Sequence, residues 1–273
     1  MLPSLLSNDG TKTFTEKESA FDRVIRTGTL RCGYYPYDPS TIIDSKTGEI
    51  TGINGEVMKI IGERLNLKIE WVEEVGLASM LDGLNQGRYD AVCTTLWPIT
   101  DRARHAVFSE PLWYSAVAAY ARVDDNRFDK DISVLNSNEY TISAIDGSIP
   151  YFMAQENFPK AQVLSMSDLT DYSLNLLNVQ TGKADVTFAE QYQGEIYFEK
   201  NPGVLKNITE GKPLRVYGNT IIMPRDEYDF AEMINIAIRE QINNGVIDKI
   251  IDKHEKYPGS FYRVAKPYEA REN

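Results

Sequence analysis

A short unit that occurs twice in the chain constrains the fold more than any other feature. Gly87-Arg-Tyr-Asp-Ala-Val and Gly182-Lys-Ala-Asp-Val-Thr each follow a leucine-containing helical segment, and each leads into an apolar stretch. The two copies lie 95 residues apart, from Gly87 to Gly182, which is too long a period for a solenoid. The repeat predicts two lobes of similar topology, although six positions rich in common turn residues can also match by coincidence.

Helical and strand-like segments alternate through the first part of the chain. The pattern predicts helices over residues 15–25, 57–65 and 77–84, separated and followed by strands over 29–33, 68–72 and 89–95. The order β-α-β-α-β is typical of a parallel sheet in an α/β protein. Near the end, an amphipathic helix over 230–242 is expected to stop at Asn244-Gly245. The tail, residues 257–273, is expected to be a surface wrap or a frayed end.

The overall composition argues against several classes of protein. At 273 residues the chain is long enough for two lobes of about 100–150 residues each. Its net charge of −11 argues against a nucleic-acid-binding protein, which concentrates Lys and Arg on one face. No apolar run approaches the ~20 residues that span a bilayer, so a membrane-spanning chain is not expected.

Cysteine and histidine are scarce. The two cysteines, Cys32 and Cys93, form no CxxC motif, and the two histidines are His105 and His254. We therefore expect no metal site, no cofactor and no histidine-based hydrolase triad. Two cysteines fit a secreted protein with one disulfide as well as a cytosolic protein with none. The start, Met1-Leu-Pro-Ser-Leu-Leu, is too short for a secretory signal, so the chain is either cytosolic or has had its signal removed.

Five ordered segments match the motifs of one known family. They are FDRVIRTGTLRCGYYPY, GEITGINGEVMKIIGERLNLKIEWV, LDGLNQGRYDAVCTTLWPITDRARHAVFSEPLWYS, TGKADVTFAE and INIAIREQINNGVIDKIIDKH. The third is the most specific, because it carries Gly-x-x-Asp, Thr-x-x-Arg and Phe-Ser-x-Pro in that order. Over residues 21–257 the chain resembles the type II periplasmic solute-binding proteins of the polar amino-acid class, solute-binding protein family 3.

The resemblance implies an α/β fold of two similar lobes, joined by two crossover hinge strands, with a ligand cleft between them. Residues 1–116 and 217–273 would form the first lobe, residues 117–216 the second, and the hinges would lie near 115–123 and 213–218. The implied function is the capture of a small amino acid or amino-acid-like zwitterion by lobe closure, as the receptor of an ABC-type transporter. We expect a periplasmic monomer that passes its ligand to a membrane permease and is not an enzyme.

Two charged residues are the strongest candidates for ligand binding. Arg102 stands six residues before Phe108, where the family has the arginine that binds the ligand α-carboxylate. A planar guanidinium suits this role because it pairs with both carboxylate oxygens. A surface ion pair is the alternative, and it is our interpretation of the neighbouring Arg104. Glu190 stands five residues after Asp185, where the family has the acid, commonly Asp, that binds the ligand α-ammonium.

Further candidates flank a predicted helix in the second lobe. Gly147 and Ser148 stand where the family has Gly-Thr or Gly-Ser ahead of a helix. Free N–H groups at the helix start, together with the Ser148 hydroxyl, would then bind an anion. Ser148 would look the same in the sequence if it were only a helix cap. Asp185 is interpreted as structural, as the counterpart of Asp90 in the repeated unit.

Two departures from the family's pattern concern the wall of the cleft. Thr95 and Trp97 occupy positions where the family usually has a small residue and a threonine that help to hold the carboxylate. Trp97 is expected to form the pocket wall, where it can stack on a cationic or flat ligand, and a buried packing role is the alternative. Leu77 stands where the family has a phenylalanine, so aromatic packing is expected to shift to Tyr35 and Tyr37. These changes argue against an ordinary polar amino acid as the ligand.

The two cysteines are expected to remain thiols. Cys32 and Cys93 lie near the ends of two strands that are neighbours in the first lobe of the family. A bridge directly across adjacent parallel strands fits disulfide geometry poorly, so we predict two buried thiols.

Two other functions compete with the receptor. Cyclohexadienyl (arogenate or prephenate) dehydratases resemble this family and use an acid in the same cleft. Their second-lobe loop is glycine-rich, whereas this chain has Ile145-Asp-Gly-Ser-Ile-Pro-Tyr there, which argues against an enzyme of that kind. The third hypothesis is the sensor module of a larger receptor, for which the sequence contains no supporting transmembrane or kinase segment.

Overall fold

The computed structural model describes residues 18–209 and 211–266. Within these ranges the helices are α1 (Ala20–Thr27), α2 (Gly52–Leu65), α3 (Met80–Gln86), α4 (Thr100–Ala103), α5 (Ile149–Asn157), α6 (Ser173–Gln180), α7 (Gln191–Lys200), α8 (Tyr228–Asn243) and α9 (Val246–His254), with a 3-10 helix at Ile132–Leu135. The strands are β1 (Thr29–Tyr34), β2 (Ile42–Ile43), β3 (Ile50–Thr51), β4 (Lys68–Glu74), β5 (Ala91–Leu96), β6 (Ala106–Phe108), β7 (Trp113–Arg122), β8 (Thr141–Ile145), β9 (Gln162–Met166), β10 (Val186–Glu190), β11 (Leu205–Asn207), β12 (Arg215–Pro224) and β13 (Phe261–Tyr262). The predicted alternation of strands and helices is confirmed.

One mixed sheet runs through the protein in the order β4-β1-β5-β12-β7-β10-β8-β9. The strands on each side of the centre are parallel to one another, whereas the long strands β7 and β12 pair antiparallel with each other. Strand β12 also pairs antiparallel with β5 and β6, and β7 also pairs antiparallel with β10 and β11. We call the α/β unit with β4, β1 and β5 the first lobe, and the unit with β10, β8 and β9 the second lobe. The predicted two-lobed α/β fold is confirmed.

The repeated sequence unit has the same backbone structure in both lobes. Gly87 follows α3 with φ 73°, and Gly182 follows α6 with φ 74°. Glycine adopts this left-handed conformation without steric cost, which is why it ends both helices. The strands that follow, β5 and β10, are buried at every residue except Leu96. Strands covered by helices on both faces need such uninterrupted burial.

The aspartate of each repeat joins its strand to the neighbouring one. The backbone N–H of Asp90 donates to the carbonyl of Arg31 at 2.8 Å, and the N–H of Arg31 donates back to the Asp90 carboxylate at 2.8 Å. Asp185 forms the same reciprocal pair with Thr141, at 2.8 Å and 2.9 Å. Arginines neutralise both carboxylates: Arg23 and Arg31 pair with Asp90, and Arg122 and Arg127 pair with Asp185. The structural role predicted for Asp185 is confirmed.

Apolar helix faces cover both sides of the sheet in each lobe. Helices α1, α2, α8 and α9 bury one face of the first lobe around Ile61 and Phe230, and α3 covers the other face around Leu84. In the second lobe α5 packs Met153 onto one face, and α6 and α7 cover the other face around Val179. None of the helices in the described ranges is long and apolar enough to cross a membrane.

Cys32 of β1 and Cys93 of β5 form a disulfide, so the prediction of two buried thiols is wrong. The register of the two parallel strands explains the error, because Cys32 lies opposite Ala91 and therefore diagonal to Cys93. This stagger gives a Cα–Cα distance of 5.4 Å, within the range of about 4.4–6.8 Å usual for disulfides.

The predictions for the start of the first helix and for the C-terminal tail also need correction. Helix α1 begins at Ala20 rather than at Thr15, because Ser19 caps it by accepting the N–H of Asp22 at 2.9 Å. Thr15 itself lies outside the described residues. The C-terminal tail contains strand β13, which pairs with β7 and buries Phe261. Residues 267–273 of the predicted tail lie outside the described residues.

Candidate functional site

A cavity of about 60 Å³ lies between the two lobes, at the carboxyl ends of β1, β5, β8 and β10. Ligands of open α/β sheets bind at this end of the strands. The described residues that line it are Tyr35, Tyr37, Ser40, Leu77, Thr94, Thr95, Leu96, Trp97, Arg102, Ser148, Ile149, Pro150, Tyr172, Glu190 and Asn219.

The structure brings together the site residues that the sequence predicts. Tyr35, Tyr37, Leu77, Thr95, Trp97, Arg102, Ser148 and Glu190 all line the cavity. The ninth, Gly147, reaches the site through its carbonyl, which accepts a hydrogen bond from Arg102 at 2.6 Å. Arg104, predicted to be a surface residue, is exposed. Contact of the predicted residues with a ligand stays a prediction.

Arg102 is a buried cation. It lies in the short helix α4 after β5, with 5% of its surface exposed. Its Nη2 donates to the carbonyl of Gly147 at 2.6 Å, and its Nη1 donates to that of Trp97 at 3.4 Å. Burial lowers the pKa of the guanidinium to about 10, although the nearby Asp101 acts in the opposite direction. Within the described part of the chain no carboxylate forms an ion pair with Arg102, so the buried guanidinium has no direct ionic partner.

Glu190 is a buried acid at the last position of β10, with 6% of its surface exposed. Burial raises the pKa of its carboxyl group to about 8, and a hydrogen bond with Ser115 acts in the opposite direction. Asn219 in turn donates to the Ser115 hydroxyl at 2.8 Å. No cation among residues 18–209 and 211–266 pairs with Glu190. Because β12 and β7 lie between β5 and β10, Glu190 and Arg102 reach the cavity from different lobes.

Thr95 contributes a hydroxyl without a partner. Its Oγ1 is buried and makes no hydrogen bond within the described residues. A buried hydroxyl left unsatisfied costs about 1–3 kcal/mol, so a ligand that accepts its proton would recover that free energy. The adjacent Thr94 differs, because its hydroxyl accepts the N–H of Tyr35 at 2.8 Å and donates to the Tyr35 carbonyl at 3.2 Å. Thr94 therefore holds the first loop in place.

Trp97 has one ring face covered by protein. It stacks on Tyr217 with ring centroids 5.0 Å apart and an interplanar angle of 15°. It also lines the cavity and is 8% exposed. Trp97 therefore both packs against the protein and forms part of the cavity wall, as the two interpretations of this residue require.

Three tyrosines, Tyr35, Tyr37 and Tyr172, form part of the cavity wall. Tyr37 meets Tyr172 edge-on, with ring centroids 5.4 Å apart and an interplanar angle of 85°. Tyr35 donates from its hydroxyl to the carbonyl of Thr170 at 3.2 Å. Burial raises the pKa of Tyr35 to about 12 and the pKa values of Tyr37 and Tyr172 well above 10. All three phenols are therefore neutral at physiological pH.

The start of α5 faces the cavity. Ser148 is the helix cap, and its Oγ accepts the N–H of Tyr151 at 3.3 Å. It also lines the cavity, so its position is compatible both with a helix cap and with a hydroxyl that binds an anion. Gly147 has φ 72°, and a Cβ there would lie 2.6 Å from the backbone of Ala78 in the first lobe. Only glycine permits this close approach of the lobes.

In the described ranges, no group of three or more His, Cys, Asp or Glu residues could hold a metal ion. The cavity's chemistry is therefore that of two isolated charges, a free hydroxyl and an aromatic and aliphatic wall. Such a site binds and orients a small polar molecule.

Comparison with known proteins identifies the family. The family model for bacterial extracellular solute-binding proteins, family 3, matches residues 30–256. The chain belongs to this family. A probable amino-acid ABC transporter-binding protein of Haemophilus influenzae is 29% identical over 191 residues, which are 70% of each chain. The L-cystine-binding protein of Bacillus subtilis is 25% identical over 227 residues, 80% of this chain and 77% of its own.

Solved structures of amino-acid-binding proteins have the same fold as this family 3 protein. An amino acid ABC transporter substrate-binding protein from Streptococcus pneumoniae, solved with bound L-arginine, superimposes with a TM-score of 0.72. The two are 22% identical, and the superposition covers 90% of this chain and 100% of that one. The family and these relatives are extracytoplasmic binding proteins of ABC transporters rather than enzymes, so the dehydratase alternative is the weaker one.

The lobes of this family 3 protein touch each other around the cavity. Besides the contacts of Arg102 and Tyr35 with the second lobe, the Ser79 hydroxyl donates to the carboxylate of Asp168 at 3.0 Å. The N–H of Leu77 donates to the carbonyl of Asp168 at 3.4 Å. The two lobes are therefore in direct contact around the cavity.

Several cavity residues were missed by the sequence prediction: Ser40, Thr94, Leu96, Ile149, Pro150, Tyr172 and Asn219. Thr94 and Leu96 flank Thr95 in β5, and Ile149 and Pro150 follow Ser148, so their neighbours in sequence pointed to them. Tyr172 and Asn219 carry no local signal. Tyr172 reaches the cavity by packing against Tyr37 of the other lobe, and Asn219 reaches it through the pairing of β12 with β7.

Proposed function

We propose that this chain is the periplasmic receptor of an ABC-type importer, and that it captures an amino acid or amino-acid-like zwitterion and passes it to a membrane permease. The observation that carries the proposal is the pair Arg102 and Glu190. Both are buried at the same cavity, and neither has an ionic partner among the described residues. A zwitterion supplies both partners at once, because its carboxylate pairs with the guanidinium and its ammonium with the carboxylate.

The other predicted residues complete the proposed site. The free hydroxyl of Thr95 donates to the ligand carboxylate beside Arg102. Gly147 and Ser148 present the start of α5 to the same anion. Trp97, Tyr35, Tyr37 and Leu77 form the aromatic and aliphatic part of the wall.

Ligand capture is proposed to occur by hinge closure, in the manner of a Venus flytrap. Of the described residues, we assign those within 1–116 and 217–273 to the first lobe, those within 117–216 to the second, and the hinges to 115–123 and 213–218. The pairing of β7 with β12, which joins Val117 to Arg215 and Trp113 to Asn219, supports hinges at these positions. Hinge closure is also supported by the positions of Arg102 and Glu190 in different lobes, because a ligand that bridges the two charges stabilises only the closed form.

The Cys32–Cys93 disulfide supports a periplasmic location, because disulfides persist in oxidising compartments such as the periplasm. A signal removed on export and a monomeric state are parts of the same proposal. The importer receptor is favoured over the enzyme, since the cavity's unpaired groups are those of a zwitterion-binding site and the named relatives are binding proteins.

The proposal is tested by substituting each charge. We expect Arg102→Ala and Glu190→Gln each to weaken amino-acid binding by about 30-fold to several thousand-fold, because each leaves a buried ligand charge unpaired. Arg104→Ala is the matched control, since Arg104 is an exposed arginine two residues away. Isothermal calorimetry and ligand-induced melting shifts measure the effect. Unchanged binding by Arg102→Ala contradicts the proposal, and turnover of prephenate or arogenate indicates an enzyme instead.

A further inference from the structure

The carboxylate and the ammonium of an amino acid would together pair with both charged side chains of the described cavity wall. Of the described lining residues, Arg102 and Glu190 are the only ones that carry a charge at their ordinary pKa values near neutral pH. If the proposed function holds, the ligand carboxylate takes Arg102 and the ligand ammonium takes Glu190. No charged group of the described wall is then left for a third charge on the ligand.

The uncharged polar groups of the wall are largely engaged elsewhere. Thr94 bonds to the backbone of Tyr35, and Asn219 donates its amide to Ser115. The remaining surface includes four aliphatic residues, Leu77, Leu96, Ile149 and Pro150. A charged side chain placed against these residues would be desolvated without a hydrogen-bonding partner.

Such a charge would also lose much of its own hydration, because most of the residues that line the cavity are themselves buried. Stacking on an aromatic ring cannot compensate, because a cation–π contact is weaker than the cost of desolvating an unpaired charge. Tyr217 moreover already covers one face of Trp97.

We infer that the ligand of this cavity is an amino acid whose side chain carries no charge and is mainly apolar. The inference rests on the proposed function and deepens it, because it names the class of amino acid that is bound. It separates this protein from receptors of cationic or acidic amino acids on the same fold. Leu77 is proposed as a specificity-determining residue, since it is an aliphatic side chain of the cavity wall that offers a charged ligand side chain neither a counter-charge nor a hydrogen bond.

Calorimetric titration of the unmodified protein at pH 8 tests the inference. The neutral ligands are L-alanine, L-valine, L-leucine, L-methionine and L-phenylalanine, and the charged ligands are L-arginine, L-lysine and L-glutamate. We expect at least one neutral ligand to bind about 30-fold or more tightly than every charged ligand. A charged ligand that binds as tightly as the best neutral one overturns the inference but leaves the proposed function standing. Failure of all eight amino acids to bind overturns the inference, whereas the proposed function is overturned only if amino-acid-like zwitterions also fail to bind.

A pair of substitutions at Leu77 provides a second, independent readout. Leu77→Asp adds a carboxylate to the wall, whereas Leu77→Asn adds a neutral group of nearly the same size. We expect Leu77→Asp, but not Leu77→Asn, to improve the affinity for L-arginine and L-lysine by about tenfold or more, because only the acid supplies a counter-charge. Equal arginine affinity in the two variants counts against the reasoning.

Discussion

Ligand affinity should rise with pH between 6 and 8, because Glu190 must lose a proton before it can pair with an ammonium group. Burial raises the pKa of its carboxyl to about 8. An ammonium beside the carboxylate favours the ionised form, so ligand binding lowers this pKa. The contribution of Glu190 to affinity is therefore present above pH 8 and is lost as the pH falls through 8.

The size of the effect follows from the titration of one carboxyl. With a pKa of about 8, the ionised fraction is about one half at pH 8, one tenth at pH 7 and one hundredth at pH 6. The affinity should fall about fivefold from pH 8 to pH 7 and about tenfold more to pH 6. The total of about fiftyfold corresponds to about 2.3 kcal/mol. At pH 7, binding should release about 0.9 proton per ligand.

Isothermal calorimetry at pH 6, 7 and 8 measures both quantities, when each pH is repeated in two buffers with different heats of ionisation. Glu190→Gln is the matched control, because it keeps the size of the side chain and removes the titrating group. Any residual affinity of this variant should be the same at pH 6 and pH 8. If the affinity of the unmodified protein is constant over this range, with no dependence on the buffer, the assignment of Glu190 to the ammonium is refuted.

Two further predictions concern closure and stability. Gly147→Ala should hold the lobes apart and weaken ligand binding, because the added Cβ would lie 2.6 Å from the backbone of Ala78. Gly182→Ala is the control, since Gly182 has a similar φ of 74° but no atom within 4 Å of the added Cβ, so this variant should close normally. X-ray scattering should then show that saturating ligand reduces the radius of gyration of Gly182→Ala but not of Gly147→Ala; the same behaviour in both variants would count against hinge closure. Thiol counting under denaturing, non-reducing conditions should find no free thiol, because Cys32 and Cys93 are bridged. The double substitution Cys32→Ser with Cys93→Ser should lower the free energy of unfolding, measured by denaturant titration, by about 4 kcal/mol, because the bridge closes a loop of 61 residues. One or two titratable thiols in the unmodified protein would show that the bridge is not formed.

The sequence alone determined the architecture, because the signals involved are local. Gly87 and Gly182 mark the ends of two helices, since each needs a left-handed φ that glycine adopts freely. Asp90 and Asp185 follow at the same spacing and form the same pair of hydrogen bonds to a neighbouring strand. A motif that repeats with its backbone chemistry intact predicts a structure that repeats as well.

The family motifs in the sequence also indicated which residues face the cleft. Arg102 and Glu190 could be named because each stands at a set distance from a motif within its own strand and loop. The start of the tail was misjudged, since Phe261 is buried only through pairing with β7, which lies far away in the chain.

Only the tertiary structure decided the properties that depend on distant partners. The disulfide depends on a stagger between β1 and β5 that no single strand encodes. Tyr172 enters the cavity through its contact with Tyr37 of the other lobe, and Asn219 through the pairing of β12 with β7. The raised pKa of Glu190 likewise arises from burial, which the assembled lobes create around it. Local sequence specifies backbone conformation, whereas burial, register and unpaired charge are set by segments that meet only when the chain has folded.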